Sequence, residues 1–99
     1  MDIQKHIFNN TGVLLPISGC NGQSQDQAVI LGSEAKYVLI TIENEFISAM
    51  LDEGYWKKFE QSLIIEDGKK YDKILVKNYM DDDAVERVFW FDITECFGI

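Results

Sequence analysis

Residues 61–77, QSLIIEDGKKYDKILVK, constrain the fold more than any other part of this chain. Two runs rich in apolar and β-branched residues are separated by Asp67-Gly68. Asp-Gly suits the two left-handed positions of a tight hairpin turn, so 62–66 should pair antiparallel with 71–77. The stretch just before, YWKKFEQ at 55–61, fits two periods. Trp56, Phe59 and Leu63 suit a helix, whereas Tyr55, Phe59, Leu63 and Ile65 suit one face of a long strand. The adjoining hairpin arm favours the strand.

A second turn follows at NYMDDDAVE, 78–86. Aspartates form turns well because their side chains bond to the local backbone. Beyond it, VERVFWFDIT places large apolar groups on both alternating sets, as expected of a central strand with both faces at least partly covered. Upstream, AVILG fits a short buried strand, and AKYVLITIE, β-branched and aromatic, reads as another at about 36–42. The period then changes. Phe46 with Met50, and Ile47 with Leu51, are spaced four apart, which predicts a helix over about 43–52. Glu43 and Glu45 would lie at its start, where the dipole favours negative charge, and Gly54 would cap its end. At the N-terminus Asp2 is a candidate cap for a helix over about 2–10 that carries Ile3 and Ile7 and stops at NNTG. Pro16 and Gly19-Cys20-Asn21-Gly22 break regular structure, which makes 16–27 a long loop. ECFGI closes the chain, with one helical turn expected to pack Phe97.

These elements describe an α+β fold: a single domain with a four- or five-stranded, mostly antiparallel sheet and one or two short helices on one face. A chain of 99 residues can bury such a core without disulfides or a structural metal. Where the first strand pairs is left open by the sequence.

The formal net charge is −8, from 17 acidic against nine basic residues. Such a field repels phosphate backbones and anionic membrane surfaces and attracts basic proteins. Neither a nucleic acid nor a membrane is therefore an expected partner. The acids are concentrated: residues 9–33 hold only Asp26, while 51–99 hold 12 acids and seven bases. No basic segment leads into an apolar run at the N-terminus, so no secretory signal is expected. Cys20 and Cys96 force no disulfide, and a cytoplasmic setting with two free thiols is the expectation.

Several short motifs suggest chemistry that their surroundings do not support. Tyr79-Met80-Asp81-Asp82 resembles the tetrapeptide with which reverse transcriptases hold Mg²⁺. Two-metal catalysis also needs a further carboxylate, a triphosphate cradle and a basic template channel. A chain this short and acidic has no room for them. As a Ca²⁺ loop counted from Asp81, the sixth residue is Glu86 where glycine is needed, and the twelfth is Asp92 inside a strand. His6 and Cys20 would make a nucleophilic pair only if adjacent, and nothing in the sequence brings them together. One histidine and two distant cysteines give no zinc spacing. SGCNGQSQ lacks the lysine and spacing of a phosphate loop. In YWKKF the rings are expected to enter the core while the lysines stay in water.

No cofactor, metal or catalytic role is expected. Three kinds of function remain. The first is an acidic interaction module, with an inhibitor or immunity protein against a basic partner as one subtype. The second is an assembly subunit that self-associates through a sheet edge. The third is a small ligand-binding domain using the 16–27 loop. The candidate partner-binding residues are Asp81, Asp82, Asp83 and Glu86 in the acidic turn, and Cys20, Asn21 and Gln23 in the loop.

Overall fold

The computed structural model describes residues 2–97. Helix α1, Ile3–Thr11, begins where the Asp2 side chain accepts the Lys5 N–H and ends at Gly12 in the left-handed region. Strand β1, Ile17–Gly19, lies inside the stretch expected to be all loop, and a single 3-10 turn at Gln25–Gln27 follows it. Strand β2, Val29–Leu31, leads through a second 3-10 turn into helix α2, Leu39–Met50. Three long strands follow: β3, Tyr55–Glu66; β4, Lys69–Met80; and β5, Asp83–Asp92.

Among the described residues these strands form one five-stranded sheet in the order β1-β2-β5-β4-β3. The fold is the expected α+β type. The β3–β4 pairing runs from Tyr55 opposite Tyr79 to Glu66 opposite Lys69. Both turn residues, Asp67 and Gly68, have positive φ, as a tight hairpin requires. The 55–61 stretch is strand. Strand β5 is central, between β4 and β2, and β2 joins it in parallel through Val29 opposite Phe91. That contact answers where the first strands attach.

The strand expected at 36–42 is not a strand. Residues 39–42 form the first turn of α2, and 36–38 precede it outside any strand. Buried Ile42, Phe46 and Ile47, with partly buried Leu39 and Met50 packed against the core, make a continuous three-and-four stripe along α2. Docking that stripe on the sheet outweighs the strand preference of β-branched residues. Two further expectations shift with it. Glu43 sits in the second turn, fully buried, and the cap is Leu51. Gly54 has a positive φ and immediately precedes β3, where a Cβ would collide with the Tyr79 carbonyl oxygen.

The core lies on one face of the sheet, between Ile3 and Ile7 of α1, the α2 stripe, and Val29, Leu31, Ile74, Val76, Phe89 and Phe91 of the strands. Phe46 meets Phe89 and Phe91 edge-on, with centroids 6.2 and 5.6 Å away. The other face has no helix over it among the described residues. Tyr55 stacks on Tyr79 there at 4.9 Å, and Lys77 lies over Phe59. The YWKKF rings thus do not enter the core as expected: Tyr55 and Phe59 are exposed, and only Trp56 packs against it. Strand pairing places aromatics on both sides of β3, and the helices cover one side alone. At the C-terminal end Cys96 is buried while Phe97 is partly exposed; Gly98 and Ile99 lie outside the described residues.

Candidate functional site

Strand β4 and the turn after it build the acidic end of the molecule. Met80 pairs with Asp83, so Asp81 and Asp82 form the tip, with Asp81 in the left-handed region. Asp83 opens β5, and Glu86 lies further along it. All four side chains are exposed. The chain between α2 and β3 brings two more acids to the same end. Buried Asn78 donates its side-chain amide to the carbonyls of Glu53, at 3.1 Å, and Tyr55, at 3.2 Å. This holds the 52–55 segment against β4, with Asp52 and Glu53 exposed. Among the described residues, none of these six acids has a cation within 4.0 Å; the ion pair that does form is Lys69 with Asp92.

Strand β5 carries the site away from the tip. Its outer edge is paired with β2 only at Phe91 and Asp92. The Trp90 N–H is taken by the Gly22 carbonyl at 2.7 Å. From Asp83 to Phe89 that edge has no strand beside it among the described residues. Gly22 has positive φ, and an added Cβ would stand 3.2 Å from the Trp90 carbonyl oxygen. Glycine therefore lets the 20–24 loop lie this close to β5.

Asn21 and Gln23 of that loop, Glu86 through Phe89 of β5, and Met50 and Leu51 at the end of α2 line a cavity of about 240 Å³. The structure thus unites Glu86, Asn21 and Gln23 from the two stretches singled out in the sequence. Asp81, Asp82 and Asp83 lie beyond the cavity at the tip. Cys20 is exposed and does not line it; its backbone N–H bonds to Ala28. Asp52, Glu53, Arg87 and the stacked tyrosines were missed by sequence reasoning. The placing of Asp52, Glu53 and Tyr55 depends on Asn78, and nothing in the sequence marks Asn78 as an anchor.

A polar cluster lies under the helices. Glu43 is wholly buried, and Asp72 nearly so. Burial, reinforced by hydrogen bonding to Asp72 and by its charge, pushes the Glu43 carboxyl up to about 9, against an opposing pull from Lys58. Neither Glu43 oxygen receives a hydrogen bond among the described residues. A protonated Glu43 resolves this, because it becomes the donor and Asp72 the acceptor. Gln61 donates to the other side of the cluster, Nε2 to Asp72 Oδ2 at 2.7 Å, and Lys58 Nζ donates to Gln61 Oε1 at 3.2 Å. Burial first, and then the nearby Glu43, Glu95 and Asp92, raise the Cys96 thiol, which lowers its reactivity. Cys20 and Cys96 are not bridged. His6 Nε2 lies 3.2 Å from Asn10 Nδ2 on the solvent side of α1, and no metal-holding group of three or more His, Cys, Asp or Glu occurs among the described residues.

At the opposite end of the hairpin Asp26, Glu66, Asp67 and Asp92 surround a cleft of about 410 Å³. Lys69 stands among these acids, and Gln25 bridges to Glu66 at 3.0 Å. Negative charge there is partly met from within. No described helix is long and apolar enough to cross a membrane. Comparison with protein-family models, curated proteins and solved structures finds no match to the chain.

Proposed function

We propose that the chain is a small acidic protein-interaction module, of the inhibitor or immunity kind, that receives a basic segment of a protein partner at its acidic end. The observation that supports this most is the meeting of six unpaired acids with a strand edge that has no neighbour. Asp52, Glu53, Asp81, Asp82, Asp83 and Glu86 flank the start of β5, whose free edge leads into the cavity lined by Asn21 and Gln23. An extended segment can add backbone hydrogen bonds along such an edge. Opposite charge steers its approach, and the stack of exposed Tyr55 on half-buried Tyr79 offers the rigid aromatic surface in which interfaces are rich.

The reading is of a binder and not of a catalyst. It invokes no cofactor, and the titratable groups with shifted properties, Glu43 and Cys96, are both buried. Free Cys20 and Cys96 suit a reducing compartment, and the cytoplasm is the setting proposed.

Affinity capture tests the proposal. The chain is immobilised beside its Asp81→Asn, Asp82→Asn, Asp83→Asn triple variant and exposed to lysate of the cells that make it. The expected result is one basic protein held by the wild type at low salt, released as salt rises, and depleted on the triple variant. Equal retention by both proteins would reduce the tip to a plain turn and shift the reading to a small-ligand role for the 16–27 loop.

A further inference from the structure

A second cavity lies between α2 and the outer strand β3, on the helix-covered side of the sheet. It measures about 220 Å³ and is lined by Leu39, Ile40, Gln61, Leu63, Asp72, Ile93 and Phe97. Its walls are almost wholly apolar. Small-molecule pockets run from roughly 300 to 1,000 Å³, so this one has room for a single side chain and not for a cofactor. Ile40 and Leu63 are exposed at 61% and 48%, which leaves the rim open.

The polar group on the lining is unusual. Asp72 is only 5% exposed, and the neighbouring Glu43 has no exposed surface and no hydrogen-bond partner at either carboxyl oxygen among the described residues. Two carboxyl groups are thus buried together with no cation within 4.0 Å among the described residues. The nearest basic group in the network, Lys58, ends on Gln61 and not on either carboxyl. Gln61 Nε2 donates to Asp72 Oδ2 at 2.7 Å, and neither acid of the pair is met by a cation among the described residues. Buried acidic groups are ordinarily paired.

We propose that this cavity is an anchor site for an arginine side chain of a protein partner, with the aliphatic stem along Leu39, Ile40 and Leu63 and the guanidinium at Asp72. Arginine fits better than lysine for two reasons. Its guanidinium is the more weakly hydrated cation, and its flat face can lie on the Phe97 ring. That ring already accepts a cation elsewhere, with Lys70 Nζ at 5.9 Å from its centroid. The arriving charge would stand where the fold lacks one, and it would favour release of the Glu43 proton. The site is separate from the acidic end, and either can fail without the other.

The probe is n-propylguanidinium, the arginine side chain without its backbone, followed through the methyl resonances of Ile40, Leu63 and Ile93. Saturable shifts at these methyls are expected. The neutral isostere n-propylurea should bind at least about tenfold more weakly, as should Asp72→Asn, because hydrogen bonds to charged groups are stronger than those between neutral ones. Leu63→Trp changes an exposed position, fills the cavity from its rim and leaves both carboxyls in place. It should abolish the shifts even if Asp72→Asn does not fold. The Asp81, Asp82 and Asp83 triple variant should bind the probe like the wild type. The proposal is overturned if the urea binds as well as the cation, if Leu63→Trp retains binding, or if the triple variant alone loses it.

Discussion

Above pH 4.5 Glu43 enters folding ionised, and it stays protonated in the native protein up to about pH 9. Folding therefore takes up a proton across that window. For a carboxyl whose folded value is raised, the native state is favoured most below the unfolded value, and stability falls as pH rises toward the folded one. The slope is about 1.4 kcal/mol per pH unit, which makes the burden at pH 7 on the order of 3 kcal/mol. Glu43→Gln keeps the shape and a donor for Asp72 without needing a proton. It should gain stability by urea unfolding at pH 8, gain much less at pH 5, and flatten the profile between them. An equal loss at both pH values would contradict a protonated Glu43. Asn78 gives a second prediction. Removing its two bonds to Glu53 and Tyr55 by Asn78→Ala should cost about 1–3 kcal/mol and speed hydrogen exchange at 53–55. Neither residue could be picked out beforehand. An isolated Glu reads as an exposed charge at a helix start, and only the packing of α2 against β4 buries it.

Elements were more legible than single residues, for physical reasons that differ from one element to the next. The β3–β4 hairpin was readable because Asp67-Gly68 answers a local backbone demand. Helix α1 was readable because Asp2 and Gly12 cap it locally. Residues 39–42 were misread because Ile and Thr suit strands, and the evidence against a strand lies in a stripe that runs on to Met50. Phe46 is the test of that stripe. It has no exposed surface and meets two strand phenylalanines edge-on, so Phe46→Ala should cost about 3–5 kcal/mol in chemical unfolding. A loss under about 1 kcal/mol would mean that α2 does not dock as described. Strand β3 bears on the self-association reading. It is a 12-residue edge carrying Lys57 and Lys58 and an irregularity at Phe59, devices that discourage strands from adding. Light scattering at micromolar concentration should return one chain, 11.4 kDa. A dimer that Phe59→Lys dissolves would restore the edge-assembly reading.

Across the whole molecule, charge and shape divide the same chain in two ways. The molecule measures 42 Å along its longest axis, and the paired β3–β4–β5 strands carry the unpaired acids to one end. The sequence made the acidity plain and marked Asp81–Asp83 and Glu86. It did not reveal that Asp52 and Glu53 join them, or that Asn21 and Gln23 face Glu86 across one cavity. Those contacts link residues far apart in sequence, and chain order alone carries no signal for them. Steering by this end is the central claim, and it acts on association more than on affinity. The most direct measurement is the association rate of the captured partner by stopped flow, over a range of ionic strength, for the wild type and the Asp81, Asp82 and Asp83 to Asn triple variant. Exposed-turn substitutions of this kind usually change stability by no more than about 0.5 kcal/mol each, so the two proteins can be compared as folded species. The wild-type rate should fall steeply with salt, and the variant should start slower at low salt and fall less. Equal rates at low ionic strength would contradict the claim.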